Sequence, residues 1–322
     1  MSQKDVLITD YVHPMLLQGL VSAGYHPTYA PEMTRTEMEA HLSHYKGVVV
    51  NTRCTISGDV MTGAPGLKWI ARLGSGLDII DVEAAKEKNI HVISAPEGNA
   101  QAVAEHALGM LLCLANNLHT GDREVREGQW LREKNRGWEV SGKTIGIIGY
   151  GNNGSAFGRL WNGWEVRVVA YDKYLERYGD TKVIAVDNES LLEQSDIISL
   201  HVPLTAETFE MVDDDFFAKC KKGSVLINTS RGKVVRLKSL LDALKSGHLK
   251  GACLDVLPHE PPTSGPEGDQ KVFEELCTMD NVVLSPHVAG WTVESKRKIA
   301  EVILNKLKTS LLMPSSSNED EG

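Results

Sequence analysis

Residues 145–154 read IGIIGYGNNG, and this stretch decides the fold class of the chain. An apolar run leads into Gly149, Gly151 and Gly154, which have the spacing G-x-G-x-x-G. The first glycine of such a loop permits a tight turn, the second lets the backbone approach phosphate, and the third lets the following helix pack on the strand. A pyrophosphate can then sit at the helix N-terminus, where unpaired N–H groups face it. On spacing alone, an ordinary strand-to-helix turn stays open as the alternative.

An acidic residue follows this loop at the place where a ribose-binding carboxylate is expected. Asp172 ends the apolar run VRVVAYD, residues 166–172, about twenty residues after the glycines. Its charge can accept hydrogen bonds from ribose hydroxyls and repels a 2′-phosphate, so the pattern predicts a dinucleotide site that prefers NAD to NADP. The predicted cofactor contacts of this region are Gly149, Gly151, Asn152, Asn153, Gly154 and Asp172.

Strand and helix patterns alternate on both sides of the glycine loop. Before it, short β-rich runs such as GVVVNT (47–52) and LKWIARL (67–73) are separated by helical patterns. After it, DIISLHV (196–202) and SVLINTS (224–230) read as buried strands. This alternation predicts an α/β protein with two doubly wound parallel sheets. Residues 99–119 carry a long apolar helical stripe, which predicts a buried helix, with a subunit contact as the alternative.

Bulk composition limits the partners and the compartment. The 322 residues suggest two domains, and a net charge of −9 without a basic run argues against nucleic acid. The longest apolar stretch, residues 107–115, is too short to span a bilayer, and the N-terminus lacks the apolar region of a signal peptide. Five scattered cysteines without a C-x-x-C pair predict a reduced, cytoplasmic protein. We find no ligand cluster in the sequence that predicts a metal.

Three polar residues follow predicted strands of the second sheet. Arg231 follows VLINTS, Glu260 follows CLDVLPH, and His287 ends NVVLSPH. Ligands of open α/β sheets bind at the carboxyl ends of strands. Taken singly, these residues could be a surface charge, a solvated carboxylate and a capping or core histidine. Together they supply a cation for a substrate carboxylate, a base for a hydroxyl proton and a carboxylate that tunes the base, as oxidation of a 2-hydroxy acid requires.

The stretches that carry these residues resemble a known family. GKTIGIIGYGNNG, INTSRGKVV, CLDVLPHEPP and LSPHVAGWT occur in the order typical of the D-isomer-specific 2-hydroxyacid dehydrogenases, and are most similar to the phosphoglycerate dehydrogenase branch. The resemblance implies that Arg231 binds the substrate carboxylate, that His287 exchanges the hydroxyl proton, and that Glu260 orients His287. It also implies further cofactor contacts, at Pro203, Thr229, Ser230 and Asp255.

The same resemblance implies the domain organisation. A flavodoxin-like substrate-binding domain, residues 1–98 and 293–322, would be interrupted by a Rossmann NAD-binding domain, residues 99–292. The active site would lie in the cleft between the two domains, and a homodimer would form through the NAD-binding domains. The substrate contacts implied for the first domain are Arg53, Arg72, Gly74, Ser75 and Gly76.

The resemblance implies an NAD-dependent D-2-hydroxyacid dehydrogenase, with D-3-phosphoglycerate as one candidate substrate. Asn51 stands where many relatives of that branch have the first arginine of R-S-R-T, while Arg53 matches the second. This departure weakens the assignment to phosphoglycerate, so reduction of hydroxypyruvate or glyoxylate is the alternative substrate assignment. A non-enzymatic, corepressor-like sensor of NAD(H) is the alternative from another functional class.

Overall fold

The computed structural model describes residues 4–176, 178–179 and 182–312, and the chain divides into two compact units. One unit comprises the residues up to Asn99 together with those from Trp291 onward, and the other comprises Ala100–Gly290. Residues 1–3 and 313–322 of the predicted substrate-binding domain lie outside the described residues. The assignment of substrate binding to the first unit stays a prediction.

The first unit is built on a parallel sheet of five strands in the order β2-β1-β3-β4-β5. This order is the flavodoxin-like one, in which the chain starts inside the sheet and winds outward on both sides. Thr34 caps the second helix in a capping box with Glu37. The elements are β1 Asp5–Ile8, α1 Pro14–Ser22, β2 His26–Tyr29, α2 Arg35–His41, β3 Gly47–Val50, α3 Gly58–Thr62, β4 Trp69–Arg72, α4 Val82–Glu87 and β5 His91–Ile93.

The long apolar helix predicted over residues 99–119 is divided in two. Helix α5 spans Pro96–Ala115 and leads from the first unit into the second, while α6 spans Leu118–Arg126. Between them Asn117 adopts a left-handed backbone conformation with φ 51°, which ends the first helix. Ala104, Ala107 and Leu111 of α5 are fully buried, so its apolar stripe belongs to the core of the second unit.

The second unit contains a parallel sheet of seven strands in the order β12-β11-β10-β9-β6-β7-β8. The chain enters at the centre, builds outward through β7 and β8, and then reverses to add the other four strands. The crevice between β6 and β9 is therefore the topological switch point, where such sheets bind nucleotides. The elements are β6 Thr144–Ile148, α7 Asn152–Leu160, β7 Arg167–Tyr171, β8 Val183–Ala185, α8 Asn188–Gln194, β9 Ile197–Leu200, α9 Asp214–Lys219, β10 Ser224–Asn228, α10 Leu237–Lys245, β11 Leu249–Leu254, α11 Glu267–Cys277 and β12 Val282–Leu284.

Each sheet carries an apolar core on both faces, so both units are doubly wound, as predicted. In the second unit, α5 and α7 cover one face and α8 to α11 the other. In the first unit, α12 (Val293–Leu312) returns to pack against α1 and the sheet. At Gly98, a Cβ atom would lie 2.8 Å from the Ile299 backbone. The point where the chain leaves the first unit is thus pressed against the helix with which it returns.

Candidate active site

The glycine loop has the geometry that its spacing predicts. Gly149 follows β6 with φ 87°, a left-handed conformation that suits glycine. A Cβ atom on Gly154 would lie 1.9 Å from the carbonyl oxygen of Gly149, so only glycine fits there. Gly151 caps the N-terminus of α7, and a Cβ atom on it would meet nothing within 4 Å. The loop therefore has no room for a side chain at Gly154, where the helix packs on the strand, and open space at Gly151, where a pyrophosphate would approach.

Asp172 follows β7 directly and is bound by backbone N–H groups. Its Oδ2 accepts the N–H of Tyr150, inside the glycine loop, at 2.7 Å. Its Oδ1 accepts the N–H groups of Tyr174 at 2.9 Å and Leu175 at 3.1 Å. Since each carboxylate oxygen has two lone pairs, one acceptor position on Oδ2 is left over within the described part of the chain. These backbone bonds, which the sequence did not reveal, leave room for one ribose hydroxyl.

The turn after β10 is shaped by Asn228, which the sequence analysis did not single out. Its buried Oδ1 accepts the N–H of Ser230 at 3.0 Å and the Ser230 hydroxyl at 2.8 Å. Its Nδ2 donates to the carbonyl oxygen of Arg231 at 3.0 Å. An asparagine that ends a strand before Thr-Ser is the available signal, because asparagine side chains favour such local turns. Asn228 thereby positions the arginine.

Two predicted cofactor contacts present buried oxygens that lack a partner. Thr229 Oγ1, after β10, and Asn153 Oδ1, in the first turn of α7, accept or donate no hydrogen bond among the described residues. Such orphaned atoms are rare in folded proteins unless a ligand or water satisfies them. Ser230 differs, because Asn228 already uses its hydroxyl and N–H. Pro203 is exposed in the loop after β9. The donor set fits a dinucleotide best at the glycine loop, Asn153 and Thr229.

The three predicted catalytic residues follow three strands that are neighbours in the sheet. Arg231, Glu260 and His287 come after β10, β11 and β12, whose carboxyl ends meet at one edge. His287 Nδ1 lies 2.6 Å from Glu260 Oε2, and Glu260 Oε1 accepts the N–H of Leu257 at 3.2 Å. The half-buried Arg231 donates from Nη1 to the carbonyl oxygen of Ser230 at 2.7 Å. The structure thus brings Glu260 and His287 into contact.

His287 occupies an unusual backbone conformation that Asp255 holds. Its φ is 56°, in the left-handed region that few residues other than glycine adopt. The N–H groups of Val288 and Ala289 each donate to the Asp255 carboxylate at 2.9 Å, and the Ser285 hydroxyl donates to it at 2.5 Å. Strained backbone of this kind persists where the surroundings fix it. In this loop Asp255 supplies most of the fixing bonds.

The Asp255 carboxylate stays ionised although it is only 2% exposed. Burial acts to raise its pKa, but hydrogen bonds from His106, Ser285 and the backbone at 288 and 289 outweigh burial and lower the pKa to about 2. His106, on α5, has Nε2 2.9 Å from the Ser285 hydroxyl and 3.5 Å from the carboxylate. The implied contact of Asp255 with the cofactor stays a prediction.

The predicted substrate contacts of the first unit lie at the end of β4 and in the loops after β3 and β4. Arg53 donates to the carbonyl oxygens of Pro31 and Met33, the latter at 3.3 Å. Arg72 donates to the carbonyl oxygen of Leu73 at 3.0 Å.

Three consecutive residues of the loop after β4, Gly74, Ser75 and Gly76, are implied substrate contacts, and each has a backbone N–H group as a possible donor. The N–H of Gly74 is already used, because it donates to the carbonyl oxygen of Arg72 at 2.9 Å. The N–H groups of Ser75 and Gly76 have no acceptor within the described ranges. Of the three, Ser75 and Gly76 are therefore the ones left with unused donors.

The described residues show neither a metal site nor a membrane-spanning helix. They contain no group of three or more His, Cys, Asp or Glu side chains that could hold a metal ion. None of the helices in the described ranges combines the length and apolar character needed to cross a membrane.

Comparison with known proteins places the second unit in one family. Residues 108–289 match the family model described as D-isomer specific 2-hydroxyacid dehydrogenase, NAD binding domain. The matched range contains the glycine loop, Asp172, Arg231, Glu260 and His287.

Individual relatives match over most of the chain. A D-3-phosphoglycerate dehydrogenase of Archaeoglobus fulgidus is 35% identical over 94% of this chain and 57% of its own length, so the chain spans little more than half of that relative. A hydroxypyruvate reductase of Thermotoga maritima is 36% identical over 81% of this chain and 83% of its own. The crystal structure of a D-lactate dehydrogenase from Aquifex aeolicus with NAD and lactic acid has TM-score 0.84 at 26% identity, covering 96% of this chain and 95% of the other.

Proposed function

Because this chain belongs to the D-isomer-specific 2-hydroxyacid dehydrogenase family, we propose that it is an NAD-dependent oxidoreductase acting on a small 2-hydroxy or 2-oxo acid. The observation that carries the proposal is the contact between His287 Nδ1 and Glu260 Oε2 at 2.6 Å. It engages one ring nitrogen and leaves Nε2 without a partner in the described part of the chain.

A histidine held in this way is suited to general acid–base chemistry. The Glu260 carboxylate accepts from Nδ1–H, which fixes the tautomer, and stabilises the ring when it is protonated. His287 Nε2 is then the atom that takes the hydroxyl proton in oxidation and returns it in reduction. Arg231 is the cation for the substrate carboxylate, which a guanidinium can bind with two parallel hydrogen bonds.

The cofactor completes the reaction. When bound, NAD would supply the hydride acceptor for oxidation at C2 of the hydroxy acid, and NADH would supply the hydride donor for reduction of the oxo acid. Gly151 and the N-terminus of α7 would hold the pyrophosphate, Asp172 a ribose hydroxyl, and Asn153 and Thr229 further polar groups. The single negative carboxylate at the end of β7 supports a preference for NAD over NADP.

For the substrate, the residues after β3 favour an unphosphorylated acid. Arg53 is the one cation in the stretch 51–55, and two of its N–H groups donate to the carbonyl oxygens of Pro31 and Met33. Asn51 cannot replace the missing positive charge. We therefore infer that hydroxypyruvate or glyoxylate is a better substrate than D-3-phosphoglycerate or its oxo acid.

The experiment is a turnover panel with NADH and glyoxylate, hydroxypyruvate, pyruvate or 3-phosphohydroxypyruvate, with NADH binding measured separately. We expect NADH oxidation, fastest with one of the first two acids, and a large loss in Arg231→Gln. A protein that binds NADH but turns over none of the acids would instead support the sensor alternative, which none of the relatives described above favours. Faster turnover of the phosphorylated acid would reverse the substrate inference.

A homodimer is proposed for the assembly. Four large apolar side chains within a short span of the second unit are exposed: Leu118 and Val125 of α6, and Trp130 and Leu131 after it. Exposed apolar groups clustered in this way are typical of interaction surfaces. Sedimentation should give a dimer, and Trp130→Ser with Val125→Ser should weaken it. A stable parent monomer at micromolar concentration would contradict the proposal.

A reducing compartment, the cytoplasm, is proposed for the protein. All five cysteines are free thiols in the structure, which is typical of proteins kept reduced. Cell fractionation that finds the protein outside the cytoplasm would contradict this.

A further inference from the structure

One carboxylate joins the segment after β7 to the loop after β9. Glu207 Oε2 accepts from Lys173 Nζ at 2.8 Å and from the Tyr174 hydroxyl at 2.6 Å. We call Lys173, Tyr174 and Glu207 the Glu207 clasp. Lys173 and Glu207 are 56% and 55% exposed, and exposed ion pairs add little to folding stability. The clasp can therefore be opened without unfolding the protein.

The clasp adjoins the carboxylate that would bind ribose. Lys173 is the residue after Asp172, and the N–H of Tyr174 donates to Asp172 Oδ1 at 2.9 Å. On the other side, the loop that carries Glu207 is tied by Thr208, whose hydroxyl donates to the carbonyl oxygen of Pro203 at 2.7 Å. Both ends of the clasp are thus attached to ordered backbone at the predicted ribose position.

Lys173 and Tyr174 carry groups of the kind that bind a 2′-phosphate. Enzymes that use NADP place a cation beside the end of this strand, where the 2′-phosphate lies. Here the ammonium group of Lys173 and the hydroxyl group of Tyr174 donate their hydrogen bonds to Glu207 instead. The hydrogen bonds from Lys173 and Tyr174 also lower the pKa of Glu207, which therefore remains charged at neutral pH.

We propose that Glu207 is a cofactor-specificity residue, because its carboxylate engages Lys173 and so withholds this cation from a 2′-phosphate. The inference rests on the proposed NAD-dependent function. Asp172 supplies a negative charge at the end of β7, and Glu207 acts in addition by engaging the cation that follows it. Rejection of NADP depends on the two loops being joined, and not on the end of β7 alone.

The test compares dissociation constants for NADH and NADPH, measured by fluorescence titration, in the parent and in Glu207→Gln. Glutamine keeps the size of Glu207 and an oxygen for the Tyr174 hydroxyl, but without the negative charge it no longer holds Lys173 in an ion pair. A unit charge brought within about 4 Å of a phosphate charge in water changes affinity about 5-fold. We expect NADPH to bind about 5-fold more tightly in the variant, NADH affinity to change little, and the gain to shrink at high salt.

Three controls separate this role from a structural one. Lys173→Met combined with Glu207→Gln should abolish the gain, because the recruited cation is then missing. Tyr174→Phe removes one bond of the clasp without a change in charge and should not alter the NADPH-to-NADH ratio. Glu210→Gln breaks a comparable exposed pair, with Arg236 at 2.9 Å, and should also leave the ratio unchanged.

The outcomes distinguish this inference from the proposed function. An unchanged ratio in Glu207→Gln, or a gain that persists without Lys173, would overturn the role of Glu207 while leaving NAD-dependent turnover intact. A parent protein that binds neither dinucleotide would overturn the proposed function and this inference with it.

Discussion

The carbonyl oxygen of Asp255 accepts a hydrogen bond of 2.8 Å from the N–H of His287. The residue that follows β11 thereby fixes the backbone of the proposed base. Its carboxylate in turn accepts hydrogen bonds from the N–H groups of Val288 and Ala289, the two residues after His287. A buried anion with this many donors is expected to support both the fold and the orientation of the imidazole.

Asp255→Asn should lower stability in a pH-dependent way. The folded pKa is about 2 and the ordinary value is 3.8, so the parent gains roughly 2 kcal/mol above about pH 4 and loses it as pH falls towards 2. Free energies of unfolding in urea, measured from pH 6 to pH 2, should differ between parent and variant at the upper end and converge at the lower. A difference that does not vary with pH would contradict the ionised, hydrogen-bonded state.

His287→Ala should lower turnover by roughly 10²–10⁴-fold, the usual contribution of a positioned acid–base group. NADH affinity should stay nearly intact, because the histidine is assigned to the hydroxyl proton and not to the dinucleotide. The matched control is His91→Ala, since His91 is exposed on β5. Unaltered turnover in His287→Ala would remove the proposed mechanism.

Glu260→Gln should lower turnover by roughly 10-fold, because replacing a charge-assisted hydrogen bond of about 1.5–3 kcal/mol by a neutral one of about 0.5–1.5 kcal/mol costs about 1–1.5 kcal/mol. Glutamine retains an oxygen for Nδ1–H but cannot stabilise the protonated ring by charge. Steady-state kinetics with NADH and the best oxo acid would measure the loss. Glu267→Gln, on an exposed residue of α11, serves as the control, and an equal loss there would show that the effect is not specific.

Two substitutions in the glycine loop should affect different properties, one the stability of the fold and the other the affinity for NADH. Gly154→Ala places Cβ 1.9 Å from the Gly149 carbonyl oxygen, so we expect a loss of about 1–3 kcal/mol of stability. Gly151→Ala meets nothing within 4 Å and should fold normally, but its methyl group would stand where the pyrophosphate approaches. Thermal melts and NADH titrations would separate them. Normal NADH affinity in Gly151→Ala would place the pyrophosphate elsewhere.

The sequence predicted the strands that are buried and missed two that are not. β2 (His26–Tyr29) and β8 (Val183–Ala185) are edge strands, and each has exposed positions. An edge strand lacks the continuous apolar run that marks a central parallel strand. Predicted strands such as residues 47–52 were also too long, since β3 ends at Val50 and the N–H of Asn51 donates to the Asp10 carboxylate at 2.8 Å.

The residues of the candidate site that follow a predicted strand could be found from the sequence. Arg231, Glu260 and His287 could be found because each follows an apolar run, and parallel strands deliver their ends to one edge. The roles of Asn228 and Asp255 could not be found, because they depend on hydrogen bonds across a turn and between neighbouring strands. The sequence likewise indicated that Asp172 is acidic and well placed, but not that three backbone N–H groups already occupy it.

The contact between Gly98 and Ile299 has a consequence for engineering. Ile299 lies less than two turns from the start of α12 at Val293, so the chain departs from its host fold and rejoins it at neighbouring points. Inserts with adjacent ends can be excised or exchanged with little disturbance to the host. A short peptide that seals the gap should leave a miniature five-stranded protein, and the vacated junction would be a graft point for a different cofactor-binding module.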